Sequence, residues 1–208
     1  MTVEEVNKAT GISIKELNRL NCDLWYHGTS PDGAENIREN GPQAGFNIGN
    51  MLDFGAGFYL TDTKERAESY ISRIPVLTKE MRFEKRKEWS VIEFRLNPFE
   101  LLFGEGNEGK YTYKNFPKHD EEFAKFAFYN RLSNVYRENH HGYDIIWGVM
   151  SDNLPDQVIY DYTEGLLTYE EAIEKLQKPN SMKQLYISRQ EICDMLEITD
   201  IIQIVARS

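Results

Sequence analysis

The stretch DFGAGFYLTDTKERAESY, residues 53–70, restricts the possible folds more than any other part of the chain. Its glycines leave no helical period ahead of GFYLT, which has the composition of a short strand. Thr61, Asp62 or Thr63 then stands ready to cap a helix over TKERAESYISRI. Loop, strand and helix therefore follow one another directly, and Tyr59 and Tyr70 leave consecutive elements at a fixed spacing. Taken singly, each tyrosine reads as packing. Taken together, the rings can converge on one slot that accepts a planar heterocycle, with stacking worth about 1 kcal/mol per ring pair beyond area burial.

Residues 1–21 read as a short helical appendage of helix-turn-helix character. Thr2 precedes Glu4 and Glu5 as an N-cap does, and Gly11 breaks the run. Ser13 with Glu16 has the form of a capping box opening SIKELNRL, with Ile14, Leu17 and Leu20 facing inward. The segment resembles the helix-turn-helix of bacterial regulators but lacks the third helix that closes such a unit, leaving DNA binding or a docking role open.

Residues 22–208 read as one domain. LWYHGTS is a strand entering a turn, DGAENIRENG a helix, and SVIEFRLNPFELLF a strand stopped near Pro98. HDEEFAKFAFYNRLSNVYREN spaces Phe123, Phe126, Ala127 and Leu132 as a core-facing helix. GYDIIWGVM, MKQLYIS and IIQIVAR read as strands, LTYEEAIEKLQK as a helix capped by Thr168, and ISRQEICDMLEI as helical by spacing. Neither a regular β-α-β rhythm nor a GxGxxG turn is present, so the expected class is α+β with mainly antiparallel sheet.

Composition removes several function classes. A net charge of -10 argues against non-specific grip on a nucleic-acid backbone, which depends on clustered cations. The dense basic run MRFEKRKEW, residues 81–89, is broken by Glu84 and Glu88 and reads as a solvated helix or loop, or else as a contact for an acidic macromolecule. Cys22 and Cys193 lie far apart without ligand spacing, so neither a disulfide framework nor a metal site is expected. His119, His140 and His141 lack ligand-like spacing and read as surface residues. With no apolar run of membrane length and a polar start, MTVEEVNKAT, the expectation is a cytoplasmic protein without a membrane partner.

The side chains that bear chemistry sit on three short strands: Tyr26-His27-Gly28-Thr29, Gly57 to Thr61, and Lys183 to Tyr186. Gly28 lets a ligand approach the backbone beside His27. HGT followed by FGAGFYLTDTKERAESY resembles the ADP-ribosyltransferase superfamily, in the branch of the poly(ADP-ribose) polymerases and diphtheria toxin, over about residues 24–200. Its nearest likeness is to a bacterial and phage group with a DFGxGFYLT signature. The resemblance implies a split antiparallel β-sheet core with peripheral helices.

It also implies NAD as substrate. His27 would bond the adenosine ribose, Gly28 would hold the nicotinamide carboxamide with Thr29 beside them, and Tyr59 and Tyr70 would pack on the two ring faces. Where relatives carry a catalytic glutamate, the matching residue here is Gln184. A neutral hydrogen bond to the ribose hydroxyl contributes about 0.5–1.5 kcal/mol, against roughly 1.5–3 for a charged one. Glu191 is a second candidate carboxylate. Arg131 reads either as a surface ion pair or as a contact to the NAD pyrophosphate. Asp152 and Asp156 read as acceptor-orienting groups or as members of a polar turn.

The implied activity is mono-ADP-ribosyl transfer to a macromolecular acceptor, with His27, Tyr59 and Gln184 at the reacting centre. The implied setting is that of a bacterial toxin or phage-defence protein held by an antitoxin protein. The alternatives are an NAD glycohydrolase, or a degenerate nucleotide- or partner-binding module with a DNA-binding N-terminal segment.

Overall fold

The computed structural model describes residues 1–47, 51–77, 81–135, 141–151 and 155–206. Its first helices are α1 (Val3–Thr10) and α2 (Ile14–Leu20). Thr2 and Glu5 close a reciprocal capping box on α1, and Gly11 ends the helix in the left-handed conformation. Ser13 caps α2, but the expected second half of that box is missing: the Glu16 side chain leaves the helix end and is buried against the body of the protein. There it accepts from Trp147 Nε1 at 2.5 Å and Lys183 Nζ at 2.6 Å. Val6, Leu17 and Leu20 lie in the same buried cluster as Trp25 and Trp147. Ile14, expected to face inward, is exposed.

The chain continues through β1 (Leu24–Thr29), α3 (Pro31–Asn40), β2 (Phe58–Leu60), α4 (Lys64–Ile71), β3 (Val76–Leu77), β4 (Phe83–Glu84) and β5 (Glu88–Arg95). Next come α5 (Pro98–Phe103), β6 (Tyr113–Phe116), α6 (Glu121–Val135), β7 (Ile145–Val149) and α7 (Pro155–Thr163). The last elements are α8 (Tyr169–Leu176), β8 (Lys183–Ile187), α9 (Gln190–Cys193) and β9 (Glu197–Val205). The class is α+β. The strand in SVIEFRLNPFELLF ends at Arg95, ahead of Pro98 as expected, and the residues after it form a helix that Asn97 caps with Pro98 in its first turn. Two expectations require correction. The basic run 81–89 contains no helix: Phe83–Glu84 pairs with Val76–Leu77, and β5 begins at Glu88. Helical spacing in ISRQEICDMLEI yields only α9, and β9 begins at Glu197.

Two larger sheets carry the core. One has the order β1-β5-β9 and is antiparallel throughout; the other has the order β2-β8-β7-β6, with a single parallel pair, β6 with β7. They meet at a bridge between Tyr26 and Thr61, whose backbones exchange hydrogen bonds of 2.9 and 2.8 Å. Alternation along β7 and β8 feeds two cores at once. Ile145, Trp147, Leu185 and Ile187 enter the cluster containing Trp25, while Ile146 and Tyr186 enter a second one with Phe54, Phe116 and Phe123. Cys193 is buried in the first cluster, its thiol pushed up to about 12 by burial, and neither cysteine is in a disulfide.

Candidate functional site

Where the two sheets part, β1 on one side and β2 and β8 on the other frame a cavity of about 460 Å³. His27, Gly28, Thr29, Tyr59, Tyr70, Arg131 and Gln184 all line it, so the sequence-predicted residues do come together.

The hydrogen-bond pattern of β1 determines what Gly28 offers. Tyr26 gives both backbone groups to Thr61, away from β5, and in an antiparallel ladder these directions alternate by residue. Trp25, His27 and Thr29 therefore bond β5, while the N–H and C=O of Gly28 face the parting between the sheets. The missing side chain has a separate cause. A Cβ on Gly28 would lie 2.4 Å from the Ala67 carbonyl oxygen and 2.9 Å from Ile71 Cγ2, so glycine lets α4 press against β1. Gly57 is equally constrained, since a Cβ there would fall 2.1 Å from the Tyr186 ring.

His27 Nδ1 lies 2.8 Å from the Tyr59 carbonyl, which can only accept, so that nitrogen carries the proton. Burial lowers the ring's pKa, which keeps it neutral and leaves Nε2 as a bare acceptor. The imidazole also stacks on Phe58, with centroids 4.6 Å apart. Tyr59 is fixed by its loop: its hydroxyl donates to Gly55 O at 2.6 Å and receives the Phe54 N–H at 3.3 Å. Burial, followed by the nearby Tyr186 and Asp53, raises the Tyr59 phenol well above its ordinary value. Tyr70 is different. It is 39 % exposed and contacts no other aromatic ring among the described residues, so one side of the slot is rigid and the other free.

Arg131 is not a surface ion pair: it is buried, and it lines the cavity while holding two carboxylates. Its Nε and Nη2 both reach Asp53 Oδ1 at 2.8 Å, while Nη1 donates to Met51 O and to Asp156 Oδ1, each at 2.6 Å. Asp156 belongs to the first turn of α7, not to a turn between elements. The Oδ2 of Asp53 accepts from the Ser151 N–H at 2.8 Å and from Gln184 Nε2 at 3.1 Å. Asp53 is 2 % exposed and Gln184 6 %, and Ser151 Oγ is buried without a partner among the described residues. Asp53 and Ser151 were absent from the sequence reading. So was Asn47, whose side-chain amide exchanges two hydrogen bonds with the Gly57 backbone.

Glu191 lies on α9, outside the cavity lining, and faces Arg189 at 3.6 Å. His119 and His141 are half-buried, not surface residues. His119 Nε2 donates to Met150 O at 2.9 Å, and His141 bridges Phe54 O and Tyr143 N while burial lowers its pKa. His140 and Asp152 lie outside the described residues. Among the described residues no group of three or more His, Cys, Asp or Glu side chains is placed to hold a metal ion, and no helix is long and apolar enough to cross a membrane. A family model described as "Protein of unknown function (DUF3990)" matches residues 26–198. No curated protein matches the chain.

Proposed function

The chain belongs to the DUF3990 family, and we propose that it binds NAD in the cavity between its sheets, releases nicotinamide and transfers ADP-ribose to a macromolecular acceptor. The observation that carries this reading is the pairing of Gly28 with the two tyrosines. One strand residue presents a ladder-free N–H and C=O to a slot lined by Tyr59 and Tyr70. A primary carboxamide needs one donor and one acceptor side by side, and an aromatic ring attached to it needs flat apolar walls. Nicotinamide has both parts. The split of the sheets at Tyr26 and Thr61 and the resemblance of GFYLTDTKERAESY support an ADP-ribosyltransferase-like arrangement of the fold.

With the ring held there, the neutral His27 would accept a ribose hydroxyl on Nε2, and Gln184 would accept another on Oε1. The bond between the ribose anomeric carbon and the pyridinium nitrogen then breaks, and its electron pair leaves with neutral nicotinamide. The oxocarbenium-like sugar is captured by a nucleophile that gives up its proton. Holding the sugar in a reactive pose supplies much of the acceleration where the charged stabiliser is absent.

The test is incubation with NAD labelled on adenine together with a lysate, followed by separation of protein, RNA and DNA, with Tyr70→Ala and Gln184→Ala as controls. Label on one macromolecular fraction, lost in both variants, supports transfer. Nicotinamide release without labelled macromolecule replaces transfer by hydrolysis. Intact NAD refutes the proposed release and transfer, and no binding of nicotinamide to the protein refutes the ring slot as well.

A further inference from the structure

Gln184 stands where the resemblance implies a glutamate, and its surroundings supply a physical reason. β8 brings the side chain to the cavity opposite Gly148 of β7, and its Nε2 donates to Asp53 Oδ2 at 3.1 Å. An ionised carboxylate only accepts hydrogen bonds, so the amide has one allowed orientation: the NH2 group faces Asp53 and Oε1 faces away. Oε1 has no protein donor among the described residues, yet it is not among the fully enclosed atoms lacking a partner, so it opens on the cavity that Gln184 lines. Asp53 cannot turn to release it. Two Arg131 nitrogens hold Oδ1, and the Ser151 N–H holds Oδ2 beside the glutamine.

We propose that Asp53 is a positioning residue that holds the Gln184 carbonyl toward the cavity as acceptor for a ligand hydroxyl, and that the site is therefore built for glutamine and disfavours glutamate at position 184. The identity of that hydroxyl as a ribose group rests on the NAD reading; the fixed amide does not.

The charge balance around the position leads to the same conclusion. The titratable or charged groups that line the cavity with it are Asp53 from the loop before β2, Arg131 from α6, Asp156 from α7, Tyr59 from β2, Tyr70 from α4, and Tyr26 and His27 from β1. Arg131 is the one permanent cation lining the cavity among the described residues, and two carboxylates already share it. A glutamate at 184 would set a further carboxyl about 3 Å from Asp53, where two such groups do not both ionise. Its protonated form can imitate glutamine, donating to Asp53 while keeping a carbonyl toward the cavity. Installing the glutamate of the resembling enzymes should therefore weaken this protein at neutral pH.

The experiment compares wild type, Gln184→Glu, Asp53→Asn and the double variant between pH 5 and pH 9, reading melting temperature and nicotinamide release from NAD. Gln184→Glu should match wild type near pH 5 and melt about 5–10 °C lower by pH 8. Its nicotinamide release should fall about tenfold or more across the same range. The double variant should recover at least half of both losses, because an amide at 53 donates to the new carboxylate. A Gln184→Glu protein as stable as wild type at pH 8, or faster with NAD there, overturns the proposal, as does a double variant no better than the single. If wild type leaves NAD intact, the functional reading fails while the melting curves still decide the positioning role. Where a variant does not fold, the wild-type Gln184 side-chain amide gives the answer by ¹⁵N NMR: slow exchange of its protons supports the bond to Asp53, and free exchange refutes it.

Discussion

Gly28→Ala probes the junction between the fold and the cavity. The new methyl carbon would lie 2.4 Å from Ala67 O, 2.9 Å from Ile71 Cγ2 and 3.0 Å from Ile71 Cβ. An ordinary non-bonded contact is about 3.5 Å, so α4 must retreat from β1 by roughly 1 Å. The nearest atom is a helix carbonyl of a buried residue, which cannot swing aside as a long side chain would. Overpacking of this kind costs about 1–3 kcal/mol, which for a domain of this size lowers Tm by roughly 2–12 °C. Tyr70 is carried on the same helix, so its ring moves away from the slot, and a displacement near 1 Å from a reactive pose costs about a hundredfold. Thermal melting with and without nicotinamide reads both effects. A Gly28→Ala variant with wild-type Tm and an undiminished nicotinamide-induced rise would refute the idea that close packing of α4 on β1 sets the width of the slot.

Two further outcomes are expected. Burial lowers His27 and His141 below the ordinary histidine value of about 6.5, so the unfolded chain binds protons that the folded chain rejects. Stability is therefore full above that value and drains away as pH falls through it toward the depressed folded values; Tm recorded from pH 8 to pH 5 checks this, and His141→Gln should flatten part of the slope. Glu16→Ala removes the acceptor of Trp147 Nε1 and the partner of Lys183, both reaching from the sheet, and should cost about 3 kcal/mol in urea unfolding.

Local chemistry made much of this structure readable. Thr2, Thr63 and Thr168 accept the helix N–H groups expected of them, and His27, Gly28, Tyr59, Tyr70 and Gln184 share a cavity because strand and helix signals in their own segments were strong. Asn97 with Pro98 carried an equally plain start signal, obscured by the alternation of the preceding strand. What stayed hidden is long-range. Asp53 acquires its importance from Arg131 and Gln184, 78 and 131 residues away, and nothing within DFG announces those partners. His141 looked like a surface residue because its bonds go to Phe54 and Tyr143, and the first of these is invisible without the fold. Glu16 had the spacing of a capping residue, yet a buried indole and an ammonium outcompeted its own helix end.

The junction at Tyr26 and Thr61 has a mechanical consequence. Two backbone hydrogen bonds join the sheets at one end of the gap, and the side chains of Trp25 and Phe94 packed on Trp147 and Phe58 join them again through the core. A molecule seated against β1 on one side and β8 on the other adds a further rivet between the halves. Occupancy then stiffens the whole chain, and the gain in resistance to unfolding grows with the logarithm of ligand concentration.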